Sequence, residues 1–172
     1  VPPGHYQALV SRGPMYAIWP FTWPGSGFDL DMTAASTAPA EVDATLVKVV
    51  DNQGWMGSDF HVHGVNSPDS YVLDEQRVLS YLAEGMDVLV STDHDYVTDL
   101  APALNAVGGQ SLMTTIVGEE CSPMDFGHYI LWPYPRKASE LNGGALDWAG
   151  GPGPTLTLGQ LFKAARDQSV ST

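Results

Sequence analysis

Residues 71–95, YVLDEQRVLSYLAEGMDVLVSTDHD, contain the pattern that decides the fold. The first part carries apolar residues near helical spacing, and Gly85 stands where a glycine commonly ends a helix. The second part, MDVLVSTDHD, is an apolar, β-branched run that ends in polar residues, which is typical of a strand buried on both faces. This stretch therefore predicts a helix followed by a strand of a parallel sheet. The apolar positions of the helix are Leu73, Val78, Leu79 and Leu82.

Helix and strand patterns alternate from residue 56 onward, so the sequence predicts the α/β class. A Thr-x-x-Gln capping box at Thr157 and Gln160 predicts the start of the last helix. The Pro- and Gly-rich residues 133–155 predict a long surface loop. The predicted strands are MGSDFHVH (56–63), LMTTIVGEECS (112–122), FGHYILWPYP (126–135) and SVST (169–172), and the further predicted helices are YVTDLAPALNAVGG (96–109) and TLTLGQLFKAARDQ (155–168).

Residues 1–54 differ from the rest, since short alternating runs are separated by stretches such as WPFTWPGSG (19–27). This composition is typical of strands and turns, and it has no helical period. We interpret residues 1–54 as a β-rich lead-in or the tail of a β-sandwich module. Residues 55–172 then form the beginning of an α/β domain.

The charge balance restricts the partners of this 172-residue chain, in which seven basic residues face twenty acidic ones, for a formal net charge of −13. Such a field repels nucleic acid and anionic membranes. No apolar run approaches the ~20 residues that a transmembrane helix needs. We therefore expect a small-molecule partner, and neither nucleic acid nor a membrane. The β-rich lead-in and low lysine content favour an extracytoplasmic location, with a cytoplasmic one left open.

Acidic and histidine side chains follow three successive predicted strands. His61 and His63 are two residues apart on a strand, so both side chains point to the same side. Carboxyl ends of parallel strands meet at one edge of a sheet, where α/β proteins place their sites. Clusters of histidine and carboxylate bind divalent metals. The candidate ligands are His61, His63, Asp69, His94, Glu120 and His128, with Asp93 beside them.

The ordered motifs over about residues 55–135 resemble the polymerase and histidinol phosphatase (PHP) superfamily, most closely its carbaryl-hydrolase-like branch. They are His61-x-His63 with Ser67-Pro68-Asp69, then Thr92-Asp93-His94, then Gly118-Glu119-Glu120 with Gly127-His128. The resemblance implies a distorted (β/α)7 barrel, similar to a TIM barrel, whose carboxyl-end face holds two or three divalent ions of zinc, manganese or iron.

The resemblance also implies a role for each candidate ligand. His61 and His63 would hold one metal, and Glu120 would bridge to a second metal that His128 also binds. Asp69 and His94 would bind a third, although Pro68 sets Asp69 one residue later than in the commoner Ser-Asp-Gly form.

By the same resemblance, Asp93 would orient a ligand, and the catalytic residues would be Asp93, His94 and Glu120. Further ligands, a histidine and an Asp-x-His pair, are expected from strands beyond Thr172. We therefore expect the chain to be the N-terminal portion of a PHP domain whose remainder is missing.

The chemistry implied is hydrolysis by a metal-bound hydroxide, because a metal lowers the pKa of its bound water to about 7. A small phosphoester is the expected substrate. A carbamate or aryl ester is the alternative within the same type of site, and an inactive secreted binding protein is the non-enzymatic alternative.

Other hydrolase classes have weaker signals. Cys121 near His128 lacks a recognisable nucleophile motif, and a lone cysteine is more often a small buried residue. The sequence contains no G-x-S-x-G elbow of a serine hydrolase. GGPGPTLTLG (150–159) lacks the lysine of a phosphate-binding P-loop. Asp99 and Glu140 fit charged loop positions without partners in the pattern.

Overall fold

The computed structural model describes residues 2–20, 27–33, 39–149 and 156–169. The chain divides into two compact units, the first comprising Val1–Trp55 with Ala83–Gly85 and the second Met56–Leu82 with Met86–Thr172. In the first unit, strands β1 (Gly4–Ala8) and β2 (Phe28–Met32) pair antiparallel. This register sets His5 opposite Asp31, and Nδ1 of His5 lies 2.7 Å from Oδ1 of Asp31.

The second unit mixes strands and helices, which confirms the predicted α/β class. A short 3₁₀ turn of this unit lies at Leu141–Gly143. The strands and helices of the second unit are, in chain order, β3 (Ser58–Val62), α1 (Asp74–Ala83), β4 (Val88–Ser91), α2 (Ala101–Ala106), β5 (Thr114–Ile116), β6 (Glu119–Cys121), β7 (Tyr129–Leu131) and α3 (Leu158–Ser169).

Strands β3, β4 and β5 form a parallel sheet, as the sequence predicts, and the structure places β4 in its centre. Leu89 of β4 is fully buried, and it belongs to one apolar cluster with Val78 of α1 and Leu104 of α2. Burying such a side chain stabilises the fold by about 1.5–3 kcal/mol. The helices therefore hold the sheet, and β4 carries the following polar residues into a fixed position.

The strand predicted over residues 112–122 is confirmed at β5, but it is not continuous, because its polar end forms a second strand, β6, after a break at Val117 and Gly118. A Cβ on Gly118 would lie 2.7 Å from the carbonyl oxygen of Leu131 and 2.8 Å from that of Ser91. Only a glycine fits this close approach of three backbone segments. The bend at Gly118 separates β6 from the parallel sheet.

Strand β7 pairs antiparallel with β6, which differs from the purely parallel arrangement that the alternating pattern predicts. The connection between them, Ser122–His128, is shorter than the dozen or more residues that a parallel crossover needs. A short connection can only return the chain antiparallel. Within the described residues the strands form three separate sheets and no closed barrel.

The last helix begins as predicted. The amide of Thr157 donates to Oε1 of Gln160 at 2.9 Å, and the amide of Gln160 donates back to Oγ1 of Thr157 at 3.4 Å. This reciprocal capping box is confirmed. The predicted strand SVST is wrong at Ser169, which ends α3, and its other residues, 170–172, lie outside the described part of the chain.

The predicted surface loop over residues 133–155 is buried in part. Tyr134 and Leu146 have exposed fractions of 2% and 7%, because they pack with Leu161 of α3 in a second apolar cluster. Residues 150–155 of this loop lie outside the described residues. Among the helices described, none is long and apolar enough to cross a membrane.

Candidate metal centre

The end of β3 places two histidine rings side by side. Val62, between them, is buried in the apolar core, and its amide donates to Oγ1 of Thr92 at 2.8 Å. The flanking side chains of His61 and His63 project away from that core, and their Nε2 atoms lie 3.0 Å apart. The alternation of a strand therefore produces the paired nitrogens that the sequence predicts.

Glu120 lies at the centre of the histidines. The amide of Glu120 donates to the carbonyl oxygen of Asp93 at 3.0 Å, which fixes β6 beside the segment after β4. Its Oε2 lies 2.9 Å from Nε2 of His61 and 2.8 Å from Nε2 of His63. Its Oε1 lies 2.8 Å from Nδ1 of His128. Oε2 also lies 3.5 Å from Nδ1 of His94. One oxygen of the carboxylate thus faces three histidines, and the other faces His128.

The environment of Glu120 favours its ionised form. The side chain is only 4% exposed, and this burial by itself raises the pKa of the carboxyl group. Hydrogen bonds with His61 and His128 outweigh the burial, so the net pKa lies below the ordinary value. A buried carboxylate surrounded by imidazoles is a strong candidate ligand for a cation.

Asp69 lies on the other side of His63. Its Oδ1 is 2.9 Å from Nδ1 of His63, and its Oδ2 is 3.5 Å from Nε2 of His94. The hydroxyl of Ser67 donates to Oδ1 of Asp69 at 2.6 Å. This bond and the one with His63 hold the pKa of Asp69 well below its ordinary range. The Ser-Pro-Asp turn therefore presents an ionised carboxylate to two histidines.

The hydroxyl of Ser122 lies 2.6 Å from Nδ1 of His94. The sequence patterns did not identify Ser122 as a residue of the site. Ser122 follows Glu120 by two positions, so its side chain emerges on the same face of the chain. That spacing is the signal that could have identified it. The contact fixes the orientation of the His94 ring, whose other nitrogen faces Asp69.

Three overlapping groups of side chains could each hold a metal ion, since the ligand atoms within each group lie within 4.8 Å of one another. Ligand bonds of about 2.1 Å place neighbouring ligand atoms roughly 3 Å apart, which is the spacing of His61, His63 and Glu120. The donor set and its spacing therefore fit a metal ion. The groups are His61–His63–Glu120, His63–Asp69–His94 and His94–Glu120–His128.

Asp93 does not join these groups, although the sequence places it beside His94. Its side chain is fully buried, and it accepts hydrogen bonds from the amide of Gly64, at 2.6 Å, and from the hydroxyl of Thr98. Gly64 directly follows His63. Asp93 therefore holds the backbone amide of Gly64 in place, directly after the candidate ligand His63.

Glu119 and Cys121 flank Glu120 but point away from the histidines. Burial raises the pKa of Glu119 to about 7, and both its oxygens accept from the amide of Leu146 at 3.1 Å. Burial also raises the pKa of the Cys121 thiol to about 12. A buried thiol that stays protonated at neutral pH is a poor nucleophile, which disfavours the cysteine hydrolase alternative.

Asp99 and Glu140, which the sequence pattern leaves without partners, make contacts outside the candidate metal centre. Oδ1 of Asp99 accepts from the amide of Ala101 at the start of α2, at 2.9 Å. Glu140 lies 3.6 Å from Nζ of Lys137. Neither residue belongs to a group that could hold a metal among the described residues.

A shallow recess of about 340 Å³ opens beside the first pair of histidines. Its lining combines His61, Val62 and His63 with Arg77 and Tyr81 of α1. The hydroxyl of Tyr81 donates to Oδ2 of Asp59 at 2.8 Å, and burial raises its pKa to about 12. No sequence motif marks Arg77 or Tyr81, and only the packing of α1 brings them to this recess.

Comparison of the chain with models of protein families, with curated proteins and with solved structures found no match.

Proposed function

We propose that this chain is part of a metal-dependent hydrolase of the PHP superfamily that cleaves a small phosphoester. The observation that supports this most is the position of Glu120, whose Oε2 faces His61 and His63 while its Oε1 faces His128. A carboxylate shared in this way is typical of hydrolases with two adjacent metals. The proposal includes two or three divalent ions, of zinc, manganese or iron, and a fold of the distorted (β/α)7 barrel type.

Each side chain of the centre has a distinct task in this proposal. His61 and His63 would bind one ion, and His128 would bind a second on the opposite oxygen of Glu120. Asp69 and His94 would bind a third. Ser122 fixes the ring of His94, and Asp93 fixes the backbone after His63.

Divalent ions held there would supply Lewis acidity and would lower the pKa of bound water towards neutrality. No side chain of the centre then has to attack the substrate. This agrees with a site that contains imidazoles and carboxylates and whose neighbouring thiol is buried and protonated.

The test is a hydrolysis screen of a phosphomonoester, a phosphodiester and an aryl carbamate, with manganese or zinc supplied. We expect hydrolysis of a phosphoester, and we expect His94→Ala to lower it at least 10-fold because a ligand is lost. His5→Ala is the matched control, since His5 lies in the first unit. Equal rates in the two variants, or a chain that binds no metal and hydrolyses none of the substrates, would contradict the proposal.

A further inference from the structure

We propose that Arg77 binds the anionic group of the substrate in the recess beside His61 and His63, and that it selects a phosphoester over a neutral ester. This inference rests on the proposed function and deepens it. It names the residue that decides between the two substrate classes that share this type of site.

The position of Arg77 supports this role. Arg77 lies in the first turns of α1, and its side chain lines the same recess as the two paired histidines. Its Nη2 lies 3.4 Å from Oγ of Ser70, which is a long contact. Its Nε is buried and makes no hydrogen bond among the described residues. The guanidinium therefore makes one long hydrogen bond among the described residues, and because its Nε is buried, bonds to a ligand fall to its terminal N–H groups.

The charge of Arg77 is also uncompensated at short range. The chain carries only seven basic residues against twenty acidic ones, yet Arg77 forms no ion pair with any carboxylate that the structure describes. Lys137 pairs with Glu140, and Lys163 pairs with Asp167. Arg12 also has a buried Nε without a hydrogen bond among the described residues, but of these two arginines only Arg77 lines the recess beside His61 and His63. An unpaired arginine at that position indicates a bound anion as its partner.

Arg77 is the group of the recess suited to this task. The hydroxyl proton of Tyr81 is donated to Asp59, so Tyr81 has no proton left for a ligand. A guanidinium presents a planar fork of N–H donors that matches phosphate oxygens and gives charge-assisted bonds. A neutral carbamate or aryl ester has no anionic oxygen for that fork, and its binding would gain little from Arg77.

The first experiment measures binding and does not depend on turnover. Inorganic phosphate is titrated calorimetrically into the metal-loaded full chain and into its Arg77→Gln variant. We expect Arg77→Gln to weaken phosphate binding at least about 10-fold, the value of one charge-assisted hydrogen bond. Arg136→Gln is the matched control, because Arg136 lines a different pocket, and it should leave phosphate binding unchanged.

Metal content and unfolding temperature separate ligand binding from a structural role. Both should be the same in Arg77→Gln and in the unchanged chain. If Arg77→Gln fails to fold, phosphate binding is measured with Arg77→Lys instead. This variant keeps the positive charge and lacks the planar fork of N–H donors, so it should bind phosphate more weakly than the unchanged chain does. Phosphate binding that is absent from the unchanged chain, or equal in the variants, would overturn the inference.

The second experiment measures selectivity. Arg77→Gln should raise the KM for an aryl phosphate at least about 10-fold and leave the KM for an aryl carbamate within about 2-fold. An equal loss on both substrates would show a structural role and overturn the inference. Phosphoester hydrolysis that is indifferent to Arg77 would refute the inference alone. Phosphate binding that depends on Arg77, without hydrolysis of any substrate, would refute the proposed function alone.

Discussion

Nδ1 of His128 lies 2.8 Å from Oε1 of Glu120. The antiparallel pairing of β6 with β7 permits this contact, because it sets Glu120 opposite Ile130, and His128, two residues before Ile130, is the diagonal neighbour of Glu120 on the same face. The other oxygen of Glu120 stays directed at the histidines of β3. A hairpin attached to a parallel sheet thereby gives one carboxylate two separate sets of neighbours.

Both oxygens of Glu120 contact histidines, so we expect substitution of Glu120 to lower the metal content more than substitution of Glu119 does. Glu120→Gln replaces one of two acidic oxygens by an amide nitrogen that cannot bind a cation, so we expect at least one metal fewer per chain. Elemental analysis of the purified protein measures this. Glu119→Gln is the control, since Glu119 is buried against Leu146 and should keep the full metal content. Equal metal contents in both variants would contradict the assignment of Glu120.

The contact of Ser122 with His94 leads to a second prediction. Ser122→Ala removes the hydroxyl 2.6 Å from Nδ1 of His94 and frees the ring to rotate. Loss of such a supporting contact typically costs 10- to 100-fold in metal affinity or activity, or about 1.4–2.7 kcal/mol. Competition with a chromogenic chelator measures the metal affinity. Ser80→Ala, on the exposed side of α1, should leave it unchanged. An effect of the same size in both variants would show that the contact does not matter.

The close approach at Gly118 predicts a loss of stability on substitution. The Cβ of Gly118→Ala would lie within 2.8 Å of two carbonyl oxygens, so the backbone must shift, at about 1–3 kcal/mol of the free energy of unfolding. Urea unfolding followed by circular dichroism measures this. Gly159→Ala in α3 is the control, because its Cβ meets no atom within 4 Å, and it should stabilise the helix by about 0.5–1 kcal/mol. A Gly118→Ala variant of unchanged stability would show that the backbone around Gly118 can relax.

His5, in the first unit, provides a prediction about pH. Its hydrogen bond with Asp31, together with the charge of that residue, raises the pKa of His5 above its ordinary value of 6.5. A raised histidine pKa means that the pair stabilises the fold below pH 6.5, and that this contribution is lost as pH rises through the folded-state pKa. Titration of the His5 ring by NMR should show the raised value. Asp31→Asn should lower it towards 6.5, and Asp29→Asn should lower it less. A pKa of His5 that is unchanged in Asp31→Asn would contradict the pairing.

Local patterns in the sequence predicted much of the second unit. The apolar spacing of residues 73–82 predicted α1, and the capping box at Thr157 predicted the start of α3. The apolar run after Gly85 predicted β4 and the burial of its side chains. These features depend on neighbours within a few positions, which is why periodicity and capping residues reveal them. The role of the candidate ligands stays a prediction.

The sequence by itself determined which side chains stand at the ends of β3 and β4, because local runs of apolar and polar residues indicate both the strand alternation and the parallel sheet. Only the tertiary structure decided that β7 returns antiparallel and sets His128 against Glu120. It also decided that the Asp93 side chain lies outside the ligand groups and that α1 brings Arg77 to the recess. These outcomes depend on contacts between residues far apart in the chain, where packing and backbone hydrogen bonds outweigh any local preference.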